Sequence, residues 1–143
     1  MPAQTRNPWI AAPAPVAEST FWGRWCGLDL RGCDLGRMRD PVAIAGYIEE
    51  LCDLLQFRRF GDPAIVRFGA RPEIAGYSFT QLIETSLVSG HLVDHSRCVF
   101  IDIFSCATYS TRDAEIFTRK YFRASQAMSH VVDRYAGESD RQS

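Results

Sequence analysis

The stretch Gln81–Ala107, QLIETSLVSGHLVDHSRCVFIDIFSCA, decides the fold class. Apolar runs at Phe79–Ile83 and Cys98–Phe104 flank a more polar one, and Val99, Ile101 and Ile103 alternate with Phe100, Asp102 and Phe104. Alternation with a period of two marks a strand with one buried face. Ser86, His91 and Cys106 sit at the edges of these runs. A hydroxyl, an imidazole and a thiol on neighbouring strands are a candidate nucleophile, base and acid.

Upstream, Ala64–Phe68 (AIVRF) is a short strand. The GARPEIAGYS loop after it, with glycines near both ends, is expected to border the pocket. Asp40-Pro41 marks a helix start, with Asp40 as N-cap. Ile44, Ile48, Leu51, Cys52 and Leu55 then recur on one helical face, which makes Cys52 inert core. Gly46 weakens that helix by ~1 kcal/mol relative to Ala, so it depends on packing. Phe21–Cys33 is an opening strand that ends in a turn at Gly32. Downstream, Ser110-x-x-Asp113 starts a second helix, whose stripe is Ala114, Phe117 and Tyr121 with Ile116 beside it. Ser129–Val132 is a last strand. Two helices and about six strands without regular βαβ alternation predict an α+β fold, an antiparallel sheet with helices on one face. The domain spans 21–136, between an Ala/Pro-rich tail (1–20) and a polar tail (137–143), both predicted disordered.

At 143 residues and 46% hydrophobic content the chain can build one globular core. A net charge of -1 gives no basic footprint for nucleic acid. No apolar run approaches the ~20 residues that span a bilayer, and the opening residues lack the pattern of a signal peptide. Five cysteines, an odd number without metal-finger spacing, read as free thiols in a reducing cytoplasm. Lys120 is the single lysine and lies in a predicted amphipathic helix away from the motif, so a pyridoxal-phosphate Schiff base is poorly served. His91, His95, Cys98 and Cys106 are possible metal ligands, but their spacing matches no recognised finger, and no metal is expected.

The intervals from Ser86 to His91 and Cys106, with the IDIFSC ending, resemble the bacterial S-adenosylmethionine decarboxylase family. That family makes its cofactor from an internal serine, places a histidine five residues on, and carries a cysteine at the end of an (I/V)D(I/V/L)F(T/S)C strand. Ile83–Ala107 matches without a gap. Gly23, Asp29, Gly32 and Cys33 fit the family's G-x-H-L-x-x-D-x-x-G-C opening strand, with Trp25 at the histidine's place, and Arg67-Phe68 resembles its H-R-F segment. The flanks are those of a divergent member: Thr85-Ser86-Leu87 stands for Glu-Ser-His, with Glu84 one place early, and Leu92-Val93-Asp94-His95 replaces the family's Trp-Pro-Glu.

The resemblance implies a homodimer packed sheet to sheet, which would cover an apolar sheet face. It implies self-cleavage between Thr85 and Ser86, leaving a pyruvoyl group derived from Ser86, with no pyridoxal phosphate and no metal. His91 is then the base for cleavage, Cys106 the proton donor in turnover, and Phe68 and Glu84 substrate-binding residues. The activity implied is that of a carboxy-lyase acting on a small amino-acid-type substrate, S-adenosylmethionine, in polyamine (spermidine) biosynthesis. Side chains five apart on an ideal strand point to opposite faces, so a turn or bulge at Ser89-Gly90 is expected to bring Ser86 and His91 together. Asp102, with Glu84, is a candidate carboxylate near the site; sharing a strand face with Phe100 and Phe104, it reads alternatively as a buried, hydrogen-bonded group. Phe79, Trp22 and Trp25 are candidates to stack on an adenine in place of the missing tryptophan. Two other readings stay open: a non-processing relative that binds a metabolite or regulates a partner, and a decarboxylase of another amino acid such as ornithine or arginine.

Overall fold

Period-two alternation builds most of this chain into a single sheet. The computed structural model describes residues 20–137. Apart from Thr20 and Gly137, the two expected disordered tails lie outside the described residues. The strands are β1 (Thr20–Arg31), β2 (Ala64–Phe68), β3 (Gly76–Ile83), β4 (Ser86–Val93), β5 (Cys98–Ser105) and β6 (Gln126–Ala136). Their order across the sheet is β2-β3-β4-β5-β1-β6, and every neighbouring pair is antiparallel. The helices are α1 (Leu35–Met38), α2 (Pro41–Leu55) and α3 (Thr111–Tyr121). The fold is α+β, with α2 and α3 packed together over one face of the sheet, as expected. Among the described residues no helix is long and apolar enough to cross a membrane.

The core lies between that face and the helices. Leu28 and Leu30 of β1, Val88 and Leu92 of β4, and Val99, Ile101 and Ile103 of β5 are all buried there. The α2 stripe of Ile44, Ile48, Leu51, Cys52 and Leu55 meets them, joined by Tyr47. Asp40 caps α2 by accepting from the Val42 N–H at 2.9 Å, and Ser110 caps α3 by accepting from the Asp113 N–H at 3.1 Å. The inward face of α3 differs from the expected stripe. Thr118 is fully buried beside Ala114, because its Oγ1 has a partner in Tyr47 Oη at 2.8 Å. Ile116 is exposed, since it lies about 200° around the helix from Ala114. Strand β6 is far longer than Ser129–Val132: it pairs with β1 from Gln126 to Ala136. As an edge strand exposed on both faces it needs no alternation, so the pattern that betrays β5 is missing from it.

Among the described residues, no helix covers the opposite face of the sheet. Leu87, Ser89 and His91 point there from β4, Phe100, Asp102 and Phe104 from β5, and Trp25 and Asp29 from β1, in register across the ladder. Large apolar side chains on it are exposed, among them Trp22, Val66, Leu82, Leu87, Phe100 and Val132. The Trp25 indole lies flat over Gly27, where any Cβ would strike the ring. Its Nε1–H donates to Asp102 Oδ1 at 3.1 Å. Asp102 is therefore hydrogen-bonded but exposed rather than buried: its face is the uncovered one.

Candidate active site

Strands β3 and β4 are joined by a two-residue turn, Glu84-Thr85, with Ile83 paired to Ser86. Turns this short favour positive φ and usually recruit glycine or asparagine. Neither is present here, and the conformation falls on Ser86, at φ 150°. L side chains rarely adopt that half of backbone space, and holding one there costs on the order of 1–3 kcal/mol. The Thr85–Ser86 peptide is thus a strained link at the rim of the sheet.

On its other side β4 pairs with β5, Ser86 opposite Ser105. Past Ser105 the chain turns so that the Cys106 N–H donates to the Thr85 carbonyl at 3.0 Å. Thr85 Oγ1 and Ser105 Oγ share a hydrogen bond of 2.7 Å, and the Ala107 N–H donates to Ser105 Oγ at 3.1 Å. Cys106 is exposed. The fold therefore brings Ser86 and Cys106 together. It also recruits Ser105, which sequence reasoning missed although it lies inside the FSC triplet. A cavity of about 310 Å³ is lined by Phe21, Arg24, Ala107, Thr108, Tyr109 and Asp133, and reaches Ala107 next to Cys106 but not Ser86.

His91 is not part of this cluster. The expected turn or bulge at Ser89-Gly90 is absent: β4 runs from Ser86 to Val93 in unbroken register with both neighbours. Five extended residues separate Ser86 and His91 by about 17 Å. His91 stands on the uncovered face, where its Nδ1 shares a 2.6 Å hydrogen bond with Ser78 Oγ. Ser78, directly across the ladder, is a second side-chain partner the sequence did not reveal.

Glu84 is in the turn next to the strained link, exposed, and 3.5 Å from Arg58 Nε. Phe68 is at the far end of the edge strand β2, opposite Gly76, exposed and remote from Ser86. The loop 69–75 also lies at that far end, where the Ala75 carbonyl accepts from the Asp94 N–H, so it does not border the Ser86 cluster. Arg67 and Arg39 both donate to Asp94 Oδ2, at 2.7 Å and 3.2 Å, and tie the same end together. Phe79 is buried in the core and offers no surface to a ligand. Trp22 remains about half exposed and stacks on Phe104 at 5.7 Å, on the uncovered face with Leu87 and opposite to the face of Ser86. Among the described residues, no group of three or more His, Cys, Asp or Glu is arranged to hold a metal.

A sequence model described as S-adenosylmethionine decarboxylase matches residues 24–135. The fold is similar to the crystal structure of the adenosylmethionine decarboxylase from Aquifex aeolicus, with a TM-score of 0.70. The two share 16% identity over 86% of this chain and 98% of that one. No curated protein sequence matches this chain.

The five cysteines fall into two groups. Burial pushes the thiols of Cys26, Cys33 and Cys52 up to about 11, 12 and 11, which keeps them protonated well above neutral pH. Cys98 and Cys106 are accessible. Iodoacetamide at pH 8 should therefore alkylate Cys106 first and Cys98 next in the native protein, and leave the other three untouched until denaturant is added. Peptide mass mapping checks this order.

Proposed function

The chain belongs to the S-adenosylmethionine decarboxylase family, and on that premise we propose that it is a pyruvoyl-dependent decarboxylase, self-processed at Ser86. The proposed substrate is S-adenosylmethionine, decarboxylated for polyamine (spermidine) synthesis in the cytoplasm. The observation that carries this reading is the Thr85–Ser86 link, with Ser86 held at φ 150° and the Thr85 carbonyl held by the Cys106 N–H. A strained backbone persists only where its surroundings over-determine it, and such places are commonly functional.

The geometry suits an N-to-O acyl shift. Ser86 Oγ attacks the Thr85 carbonyl carbon, and the peptide C–N bond gives way to an ester. The Cys106 N–H already points at the oxygen on which negative charge develops, the role of an oxyanion hole, and the strain at Ser86 is relieved as the peptide opens. A base then removes the Ser86 α-proton. The Ser86 Cβ–O bond breaks, Thr85 keeps the carboxylate, and hydrolysis with loss of ammonia leaves the pyruvoyl group on the new amino terminus. That group supplies an electron-withdrawing carbonyl for decarboxylation. The exposed Cys106 thiol, one residue beyond the partner of Ser86, holds the proton to be returned to the substrate carbon.

His91 becomes intelligible in a dimer. It cannot reach Ser86 of its own chain, but it stands on an apolar face that needs a cover. A second copy packed on that face, with its β4 running the other way, would bring the partner's His91 to the sheet end that carries the Thr85–Ser86 link and Cys106, from the face opposite to the Ser86 side chain. The Ser78–His91 hydrogen bond would then orient the imidazole for proton transfer across the interface. Trp22, stacked on Phe104 on the same face, offers a flat surface for adenine and favours S-adenosylmethionine over ornithine or arginine. The Thr85 and Leu87 flanks of Ser86 support a second reading, a relative that keeps the fold and dimer without cutting itself.

Light scattering should give about twice the 16.1 kDa chain mass, and Phe100→Asp should shift the protein toward monomer. In mixed dimers of Ser86→Ala and His91→Ala chains, the His91→Ala chain should regain cleavage, because its intact Ser86 meets the other chain's His91. Failure to regain it would remove the shared site. Carboxyl-labelled S-adenosylmethionine should release carbon dioxide where ornithine and arginine do not. Release from only the latter two would keep the mechanism and overturn the substrate.

A further inference from the structure

Two adjacent hydroxyls, those of Thr85 and Ser86, border the strained turn, and each could in principle attack the carbonyl that precedes it. The surroundings of Thr85 distinguish them. Its Oγ1 lies 2.7 Å from Ser105 Oγ. Ser105 is fully buried, and its backbone is fixed in the sheet between Arg24 on one side and Ser86 on the other. Ser105 Oγ also accepts the Ala107 N–H at 3.1 Å, which leaves its own proton free for Thr85. Thr85 is β-branched and stiff at χ1. Tying its side chain to Ser105 anchors the Thr85 Cα, from which the carbonyl held by the Cys106 N–H at 3.0 Å projects.

We propose that Thr85 and Ser105 form a hydroxyl clamp that positions the scissile carbonyl for attack by Ser86 and withholds the Thr85 hydroxyl from acting as a rival nucleophile. The inference rests on the self-processing reading and deepens it. Ser105 is here a positioning residue: it acts through its hydrogen bond to Thr85. The clamp belongs to this chain's own turn, where a threonine precedes the serine. It accounts for a two-residue hairpin that holds Ser86 at φ 150° without a glycine. Four ties converge on that turn: the β3–β4 ladder at Ile83 and Ser86, the Glu84 N–H on the Arg58 carbonyl, the Cys106 N–H on the Thr85 carbonyl, and the hydroxyl pair on the side chain.

The test is the first-order rate at which freshly synthesised full-length chain converts to two fragments. It is measured for wild type, Thr85→Val, Ser105→Ala, the double variant and Thr85→Ser, with thermal midpoints alongside. Loss of one positioning hydrogen bond should slow cleavage about ten-fold in each single variant. The double variant should be no slower than either single, as for two groups acting as a pair. Thr85→Ser, which keeps the hydroxyl, should restore most of the rate. Hydroxylamine, which cleaves an ester once it exists, should not rescue the slow variants, because the clamp acts before the ester forms. Cleavage at the wild-type rate in Thr85→Val, multiplicative losses in the double variant, or full rescue by hydroxylamine would each overturn the clamp. A wild-type chain that never cuts would instead remove the self-processing reading, and the clamp with it.

Discussion

The Cys106 N–H bonded to the Thr85 carbonyl is the contact on which the site depends. It ties the tip of the β3–β4 hairpin to the end of β5, and the sheet sets its length and direction. It acts with the flanking ladders and the Thr85–Ser105 hydroxyl pair to keep the Ser86 backbone from relaxing toward ordinary values. With it, an unfavourable conformation is retained at the one peptide bond that the family resemblance marks for cleavage. The strain is small compared with the whole fold, but it is concentrated at a single link, and on the self-processing reading it would lower the barrier to opening that link.

The same sheet sets a limit that a single protomer does not escape. A regular strand keeps residues five apart well separated and on opposite faces. Ser86 and His91 obey that rule because nothing interrupts β4. The helices cover one face only, and the histidine is on the other, among Phe100, Leu87 and Val66. On the proposed reading, in which His91 is the base, the open apolar face and the placement of that base both point to a second copy over it.

Much of the fold could be read from residues whose meaning is local. Asp40 and Ser110 cap the helices they announce. The AIVRF strand and the alternating β5 stand where their patterns place them. The misses arise where structure depends on neighbours far along the chain. Strand β6 shows no alternation because both of its faces are exposed. Asp102 lies on the side expected, yet that side is open. Ser78 and Ser105 acquire their partners only through register, thirteen residues from His91 and twenty from Thr85. The separation of Ser86 from His91 was hidden because spacing in sequence does not show whether a strand is bent.

Intact-mass spectrometry of the purified wild-type protein tests the central claim most directly. The account predicts two fragments: residues 1–85, and a carboxyl-terminal piece that begins with a pyruvoyl group in place of Ser86. A single uncut chain of 16.1 kDa after prolonged incubation would contradict it.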